Sequence, residues 1–436
     1  MSLPIVAIVG RTNVGKSSLF NRFLRRRLAV VDPEPGVTRD RNYAVCDWNG
    51  REFRLVDTGG MTPGTRDVME KAITDQADFA LHEADLVLFV VDVQVGPDDH
   101  DERLARILHK SGKPCILVAN KADDDFLENE VFSLARLGLG KPWPVSATVG
   151  RGIGDLLDAV VGLLPAPGED VTPEGAIRVA LVGRPNVGKS SFINRLLGEE
   201  RLLVSAVAGT TRDAVDTPFE LDGQAYVLID TAGLRRHYKV QENIEFYTNL
   251  RAERAIEDCH VAVVLVDAAD GYTSQDQRIL AQVLESRRPA VMAVNKWDLV
   301  EKDTHTADRF SEAIKESMAK FAFVPLIYVS ALSGQRLGKV LELVKRVHAE
   351  HNKRISTPDL NELLKKAFGR RKPPAKQGKF IQLKYITQTE VAPPTFVIFA
   401  NHPQLVDKGY LSYLSNQLRA EFGFEGSPIR LKCRRK

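Results

Sequence analysis

The sequence lacks the features that mark exported, membrane-spanning or disulfide-stapled proteins. Its four cysteines, Cys46, Cys115, Cys259 and Cys433, lie far apart and form no CxxC pair or other metal-ligand spacing. This pattern predicts free thiols in a reducing compartment. The sequence also contains no run of eighteen apolar residues, and its first residues lead directly into an apolar segment. We therefore expect a cytoplasmic protein that is neither exported nor inserted into a membrane.

A strong excess of charge is absent as well, because the formal net charge is only +3 over 436 residues. This charge is unevenly placed along the chain. Residues 353–436 contain 17 Lys and Arg against 6 Asp and Glu, so they carry +11 and the remainder carries −8. A basic module on a mildly acidic body predicts an anionic partner, nucleic acid foremost. A solvated charged surface without a partner is the alternative.

What the chain does contain is one nine-residue stretch present twice. Residues 10–18 are GRTNVGKSS and residues 183–191 are GRPNVGKSS. Each copy follows an apolar run and precedes a predicted helix, which is the setting of the GxxxxGK[ST] phosphate loop. The glycines let backbone N–H groups surround phosphate oxygens, and the lysine adds positive charge. The residues predicted to bind phosphate are Gly10, Arg11, Thr12, Asn13, Val14, Gly15, Lys16, Ser17 and Ser18, and Gly183, Arg184, Pro185, Asn186, Val187, Gly188, Lys189, Ser190 and Ser191.

Two further motifs recur 173 residues apart, the sequence GVTRD at residues 36–40 with GTTRD at 209–213, and DTGG at 57–60 with DTAG at 230–233. The aspartate that ends a strand beside the phosphates can accept from Mg²⁺-bound water, and the threonine in the preceding loop can close over the ion. The residues predicted to hold Mg²⁺ are Ser17, Thr38 and Asp57, and Ser190, Thr211 and Asp230. The residues predicted to act on the γ-phosphate are Lys16, Thr38 and Gly60, and Lys189, Thr211 and Gly233.

The motif NKxD, at residues 120–123 and 295–298, predicts the base. Its carboxylate can accept from both N1–H and the exocyclic amine of guanine, whereas adenine offers no such donor pair and leaves the carboxylate unpaired. The ligand is therefore expected to be GTP or GDP. The residues predicted to form the two base sites are Asn120, Lys121, Asp123, Ser146 and Ala147, and Asn295, Lys296, Asp298, Ser330 and Ala331. In each site the asparagine would organise the loop, the lysine stem would cover the base, and the Ser-Ala loop would offer a backbone N–H to the guanine oxygen.

Each repeat alternates strands with helices and places its polar motifs at strand ends, which predicts a doubly wound α/β fold. We expect a first GTPase domain at residues 1–164, a Pro- and Gly-rich linker at 165–176, a second GTPase domain at 177–350 and a basic α/β module at 351–436. In that last module we expect one sheet with helices on one face, including a strand at Lys379 to Ile386 and a helix at Leu405 to Phe422.

Two complete GTPase motif sets followed by a basic α/β module resemble the EngA/Der family of bacterial tandem GTPases, which act in assembly of the large ribosomal subunit. The resemblance covers essentially the whole chain. It implies GTP hydrolysis to GDP and phosphate, and a KH-like third domain that contacts the large ribosomal subunit. No GxxG loop lies between the helices of that domain, so structured rRNA, ribosomal protein and the neighbouring GTPase domains all stay open as its contacts. We expect the chain to be a monomer.

The group that activates water is not evident in the sequence. Small signalling GTPases orient the water with a glutamine just after DxxG, but Met61 and Leu234 occupy that position here. By resemblance to cation-dependent GTPases, Asn13 and Asn186 are expected to ligate K⁺, which would stabilise transition-state charge. Slow hydrolysis by a binding switch is the alternative. At the level of function, the alternatives are a GTP-sensing scaffold with little turnover, or a GTPase acting elsewhere in translation or signalling.

Overall fold

The computed structural model of the chain describes residues 3–24, 43–58, 84–124, 131–165, 173, 175–198, 203–204, 216–230, 245–301, 306–376 and 378–435. The chain divides into two compact units, Met1–Val171 and Thr172–Lys436. The first unit contains the first repeat, and the second unit contains the second repeat together with the basic module. The domain boundaries expected near residues 164, 176 and 350 stay predictions.

The first repeat is built on a six-stranded mixed sheet with the order β2-β3-β1-β4-β5-β6. Strand β1 runs parallel to β3 and β4, while β2 is an antiparallel edge strand that pairs with β3 through the turn at Asn49 and Gly50. Both turn residues have positive φ, which a two-residue turn of this type requires. Its elements are β1 (Ile5–Val9), α1 (Lys16–Phe23), β2 (Tyr43–Trp48), β3 (Arg51–Asp57), β4 (Leu86–Asp92), α2 (Asp99–Ser111), β5 (Cys115–Asn120), a 3-10 helix (Val131–Leu137), β6 (Trp143–Pro144) and α3 (Ile153–Leu163).

Strand β4 shows why this sequence folds into three layers. Every residue of Leu86–Asp92 is buried, because both faces of the strand are covered by helices. Leu88 and its alternate neighbours pack in one core cluster with Phe23 of α1 and Leu156 of α3. Leu104 is one of the residues that α2 buries. The predicted doubly wound α/β fold is therefore confirmed, and the polar ends of the parallel strands collect at one edge of the sheet.

The second repeat has the same plan in a seven-stranded sheet of order β13-β12-β11-β7-β10-β9-β8. Its described residues include the short edge strand β8 and the helix α7, and α7 lies where the motif spacing of the second repeat grows. Its elements are β7 (Ile177–Gly183), α4 (Lys189–Leu197), β8 (Leu203–Val204), β9 (Thr217–Leu221), β10 (Gln224–Ile229), α5 (Glu245–Asp258), β11 (Val261–Asp267), α6 (Ser274–Glu285), β12 (Ala290–Asn295), 3-10 helices (Trp297–Leu299 and Ala319–Phe321), α7 (Thr306–Ser317), β13 (Leu326–Tyr328) and α8 (Leu337–His351).

The basic module forms a three-stranded sheet of order β14-β15-β16, with β14 antiparallel and β16 parallel to β15. Its helices share one core cluster with the sheet, which includes Leu360, Phe396 and Leu414. The single sheet with packed helices is the arrangement predicted for this segment. Its elements are α9 (Thr357–Arg370), β14 (Leu383–Glu390), β15 (Thr395–Ala400), a 3-10 helix (Pro403–Leu405), α10 (Lys408–Phe422) and β16 (Arg430–Arg435).

Three boundaries of the strand and the helix predicted in this module are wrong. The strand begins at Leu383 instead of Lys379, because Lys379 exchanges backbone hydrogen bonds with Lys376. It ends at Glu390 instead of Ile386, because its pairing with β15 continues as far as Glu390 and Thr395. The helix begins at Lys408 instead of Leu405, because the Asp407 side chain accepts from the Tyr410 N–H and caps the helix there.

The basic module packs on the second repeat within the second unit. The Gly426 backbone donates to the Phe323 carbonyl over 2.7 Å and accepts from the Ala290 N–H over 2.8 Å. An ion pair of 2.8 Å joins Arg346 of α8 to Glu425. Two backbone hydrogen bonds and an ion pair thus hold residues 425–426 against the second repeat.

All four cysteines are free thiols, in agreement with the sequence prediction. Burial raises the pKa of Cys46 and of Cys115 to about 12, so neither is poised to react at neutral pH. Within the described ranges, no helix has the length and apolar character that a membrane span needs.

Candidate functional site

The two phosphate loops connect β1 to α1 and β7 to α4 with nearly the same internal geometry. The Lys16 ammonium folds back and donates to the carbonyl oxygens of Gly10, at 2.7 Å, and Arg11, at 2.6 Å. Lys189 does the same with Gly183, at 2.8 Å, and Arg184, at 2.6 Å. Each lysine is therefore held above the concave side of its loop, where a phosphate would receive its charge.

Both lysine ammonium groups lie in a desolvated position that suits an anion. Burial lowers the pKa of Lys16 to about 8, against the opposing attraction of Asp57 and Asp101. Burial alone lowers the pKa of Lys189 to about 8. A phosphate beside either lysine would favour its charged form, so the loops fit a polyanionic ligand.

The helices that follow these loops begin without a side-chain cap. Gly15 caps α1 at φ 93° with no side-chain hydrogen bond, and the first turn of α1 contains no acid. Gly188 caps α4 in the same way at φ 95°. By contrast, α2 has a complete capping box made by Asp98 and Asp101. The two helix N-termini at the phosphate loops are thus left for a ligand, as in anion-binding helix starts.

Two of the three residues predicted to hold Mg²⁺ in the first site, Ser17 and Asp57, are in contact. The Ser17 hydroxyl donates to Oδ2 of Asp57 over 2.6 Å, and Asp57 is almost fully buried at the end of β3. A hydroxyl and a carboxylate are oxygen ligands of the kind that Mg²⁺ takes, so the pair fits this ion. In the second site, Asp230 follows β10 at φ 57°, and its N–H donates to Oδ1 of Asp216 over 3.2 Å.

Asp216 is a residue of the second site that the motifs did not predict. It lies just before β9 and also accepts from Arg178 over 3.1 Å. Burial raises the pKa of Asp216 above its ordinary value, while the Asp230 N–H and Arg178 oppose the shift. The first repeat has Tyr43 at the corresponding position, so the two aspartates predicted to bind Mg²⁺ have different surroundings.

Asn120, predicted to organise the base-site loop, also connects that loop to the phosphate loop. Its Nδ2 donates to the Val14 carbonyl over 2.8 Å and its Oδ1 accepts from the Ala147 N–H over 3.1 Å. Asn295 makes the equivalent bonds to Val187, at 2.8 Å, and Ala331, at 2.9 Å. Because these two amides are engaged by asparagine, an N–H offered to the guanine oxygen stays a prediction.

Gly15 and Gly188, which precede the two lysines, leave room for the asparagine side chains against the phosphate loops. A Cβ built at Gly15 would lie 2.2 Å from Nδ2 of Asn120, and one at Gly188 would lie 2.4 Å from Nδ2 of Asn295. A side chain at either glycine would therefore displace the asparagine and separate the two halves of the nucleotide site.

The base end is organised by a second pair of acids. The Lys121 ammonium pairs with Asp92 over 2.6 Å, and Lys296 pairs with Asp267 over the same distance. These ion pairs fix the direction of the lysine stems that are predicted to cover the base. Asp92 and Asp267 were not among the predicted site residues. The sequence offers a signal for them, because each aspartate ends the equivalent strand of its repeat.

The base-reading carboxylates themselves are at the surface. Asp123 and Asp298 are exposed, as a ligand that enters from solvent requires. In the first site the Ser146 hydroxyl donates to Oδ1 of Asp123 over 2.6 Å. That bond links the Ser-Ala loop to the residue predicted to read guanine.

The arginine that follows the first glycine of each loop is anchored by acids. Arg11 pairs with Asp98 at 3.1 Å and with the buried Asp101 at 3.3 Å. Arg184 pairs with Asp270 and with the buried Asp276, both at 3.0 Å. Because the Arg11 and Arg184 carbonyls also accept from the lysines, these ion pairs hold one of the two carbonyls that position each lysine.

The remaining predicted residues are placed as follows. The Asn13 and Asn186 side chains are exposed, at φ 66° and 62°, and their carboxamides make no hydrogen bond to any described residue. Thr12, Ser18, Pro185 and Ser191 are exposed on the loops, whereas Val14 and Val187 are buried below them. Ser190, Lys296 and Ser330 lie at the positions equivalent to Ser17, Lys121 and Ser146.

Six residues named in the sequence analysis lie outside the described residues. They are Thr38, Gly60, Met61, Thr211, Gly233 and Leu234.

Comparison with known proteins identifies each module. A family described as "50S ribosome-binding GTPase" matches residues 5–121 and again 178–296. Residues 354–434 match "KH-domain-like of EngA bacterial GTPase enzymes, C-terminal".

Several curated relatives match this chain over its whole length. GTPase Der of Pelotomaculum thermopropionicum is 50% identical over 437 residues, which cover 100% of this chain and 99% of the relative. GTPase Der of Desulforamulus reducens is 48% identical with the same coverage, and that of Brevibacillus brevis is 45% identical over 100% of both chains. The chain therefore belongs to the GTPase Der family, with two GTPase domains followed by a KH-like domain.

Proposed function

We propose that this GTPase uses its nucleotide state to control association with, and maturation of, the large ribosomal subunit. The observation that carries the proposal is the presence of two phosphate loops with the same lysine geometry in one chain that also contains a basic KH-like domain. The description of the matched family as ribosome-binding supports the large subunit as the partner. The chain is proposed to act in the cytoplasm as a monomer.

The chemistry in each site follows from its described residues. Lys16 and Lys189 would bind the β- and γ-phosphates together with the helix N-termini, and Asp123 and Asp298 would select guanine. Ser17 with Asp57 in the first site, and Ser190 with Asp230 in the second, would hold Mg²⁺. When bound, that ion supplies charge neutralisation between the β- and γ-phosphates. Thr38 and Thr211 are proposed to complete its ligands, and Gly60 and Gly233 to approach the γ-phosphate.

K⁺ is proposed to stimulate hydrolysis through Asn13 and Asn186. Their exposed carboxamides have no partner among the described residues, which leaves the oxygens available to a cation beside the phosphates. Each site can be measured alone, the first in a Lys189→Ala background and the second in a Lys16→Ala background. We expect GTP turnover to be about tenfold or more faster in KCl than in NaCl of equal concentration.

Replacing Asn13 with alanine should remove the K⁺ effect at the first site only, and replacing Asn186 should remove it at the second site only. Equal rates in the two salts for the unmodified protein would overturn the K⁺ proposal. Negligible multiple turnover by the unmodified protein in both salts would instead support the GTP-sensing scaffold.

Ribosome association is tested by sedimentation of the protein with purified large and small ribosomal subunits. The measurement is made in GTP, in GDP and in a non-hydrolysable GTP analogue at one stated salt concentration, since phosphate contacts weaken steeply with salt. We expect the large subunit to retain the protein in a nucleotide-dependent manner, with Lys16→Ala and Lys189→Ala each altering that dependence. Association that is the same in all nucleotide states, or absent, would contradict the proposal.

A further inference from the structure

Phe380 presents an aromatic ring to solvent from the connection between α9 and β14. It is 80% exposed, and among the described residues it is the aromatic member of a small group of exposed large apolar side chains. The others, including Val95 and Leu332, are aliphatic. Single exposed apolar residues are common, so the ring needs further evidence before a role is assigned to it.

The backbone that carries this ring is held in a defined shape. Asn401 donates from Nδ2 to the Phe380 carbonyl over 2.9 Å and accepts at Oδ1 from the Gln382 N–H over 2.9 Å. Its own backbone N–H donates to the Gln382 carbonyl. Between Phe380 and Gln382, Ile381 points into the module and is 4% exposed. The chain therefore alternates inward and outward side chains here, and Phe380 is displayed by an anchored segment.

The preceding loop is anchored as well. Lys376 and Lys379 exchange backbone hydrogen bonds of 3.3 and 3.0 Å, which closes a tight turn just before the ring. The Tyr410 hydroxyl donates to the Arg371 carbonyl over 2.8 Å at the other end of the loop. The ring is thus held at the edge of a structured loop.

The charge around Phe380 is of one sign in the sequence. Between Leu363 and Thr389 the chain contains eight lysines and arginines and no aspartate or glutamate. One acid, Asp407, approaches the turn, with its Oδ2 at 3.9 Å from the Lys376 ammonium. Such a surface attracts a polyanion and disfavours an acidic or strongly apolar protein segment.

We propose that Phe380 stacks on an unpaired base of RNA while the neighbouring lysines and arginines contact its phosphates. An exposed aromatic ring within a basic surface is the combination that binds single-stranded nucleic acid, since every base offers a flat face to the ring. This inference rests on the proposed ribosome association and names its chemistry at one residue. It assigns to the KH-like domain a base contact that does not use a GxxG loop.

The test measures binding of the full-length protein to a fluorescein-labelled single-stranded oligoadenylate of about 12 nucleotides and to an RNA duplex of about 12 base pairs. We expect Phe380→Ala to weaken single-strand binding by about 5-fold to 150-fold, the range that one stacked base represents. Phe380→Tyr should retain the affinity, because it keeps the ring. Phe380→Leu should behave like the alanine variant, because it keeps apolar area and loses the ring.

Phe380→Trp provides a direct spectroscopic reading of stacking. Its fluorescence, obtained as the difference from the unmodified protein with its 3 native tryptophans, should be quenched by the single strand and not by the duplex. Equal affinity of Phe380→Ala and unmodified protein for the single strand would overturn the proposal. An equal loss on duplex and single strand would overturn it too, because a paired base cannot stack on the ring.

Failure of this inference can be told apart from failure of the proposed function. If the unmodified protein associates with large subunits and Phe380→Ala binds oligoadenylate normally, only the stacking proposal fails. If Phe380→Ala loses subunit association while oligoadenylate binding is unchanged, the ring docks on protein and the RNA proposal is wrong. If the ring effect on oligoadenylate is present but no subunit association is found, the ribosome proposal fails and the stacking site stands.

Discussion

His351 makes the second unit sensitive to mild acid. It lies at the end of α8 with 4% of its surface exposed, and its Nδ1 is 2.8 Å from the Ser427 hydroxyl of the KH-like domain. Burial is the largest cause that lowers the pKa of His351 to about 4, and the positive charges of Arg288, His348 and His260 contribute to the same shift. Burial also lowers the pKa of His348.

The sign of the effect follows from which state binds the proton. An unfolded histidine titrates near its ordinary value of about 6.5, whereas folded His351 titrates near 4. Between these values the unfolded chain binds more protons than the folded chain, so acidification favours unfolding. The stability of the second unit is therefore complete above about pH 6.5 and is lost progressively as the pH falls toward 4.

The magnitude can be worked out from these two values. Going from about pH 7.5 to about pH 5 should cost the second unit about 2 kcal/mol through His351 alone, and about 3 kcal/mol at still lower pH. Urea unfolding followed by Trp297 fluorescence measures this loss in the second unit. A background of Trp48→Phe and Trp143→Phe removes the tryptophans of the first unit.

His351→Gln supplies the decisive comparison. This variant changes packing at both pH values, but the difference in unfolding free energy between the two pH values should shrink by about 2 kcal/mol relative to unmodified protein. His109→Gln, on an exposed surface of the first unit, is the matched control and should leave the difference unchanged. If His351→Gln and unmodified protein lose the same stability on acidification, the reasoning is refuted.

Two further expectations compare glycines of similar backbone conformation. Gly15→Ala should weaken GDP binding and destabilise the first domain by about 3 kcal/mol or more. Two costs add: the left-handed backbone strain of an alanine, about 1–2 kcal/mol, and the loss of the buried hydrogen bonds of Asn120, about 1–3 kcal/mol each. At Gly50 φ is 75°, and apart from its chain neighbours no atom lies within 4 Å of an added Cβ, so Gly50→Ala should show the strain alone and bind GDP normally. Gly426→Ala should raise the rate of amide hydrogen exchange at the contact between the KH-like domain and the second GTPase domain, because its Cβ would lie 2.7 Å from a backbone oxygen of Ala290. Gly271→Ala, at the same φ of 70° in open space, should leave that exchange unchanged, and equal behaviour of the two variants would show that the contact is not tight.

Local and repeated signals account for what the sequence predicted well. The phosphate loops and the strands that end in NKxD are short segments with residue-specific chemistry, and each occurs twice in the same order. The start of the first helix was harder to predict, because α1 begins at Lys16, inside the phosphate-loop motif, instead of after it. Gly15 caps it without a polar side chain, so the usual sequence signal of a helix start is absent.

The missed residues depend on contacts between distant parts of the chain. Arg11 and Asp101 are 90 positions apart, and only the docking of α2 beside the phosphate loop brings them to 3.3 Å. No propensity or motif of either segment predicts this contact. Comparison of the repeats offers a signal, because Arg184 and Asp276 recur at the corresponding positions.

The same comparison distinguishes a required ion pair from a replaceable one. The buried acid, Asp101 or Asp276, is present in both repeats and pairs with the arginine of the phosphate loop in both. The second acid is different, because Asp98 corresponds in sequence to Thr273, and Asp270 corresponds to a valine. In each repeat the arginine therefore pairs with two acids, but one of the two acids comes from a different sequence position. Because both repeats keep two acids beside the arginine by different means, we infer that anchoring this arginine is required for the function of the nucleotide site. Since Asp216 further distinguishes the second site, the two sites share one mechanism of phosphate positioning but need not have the same affinity or rate.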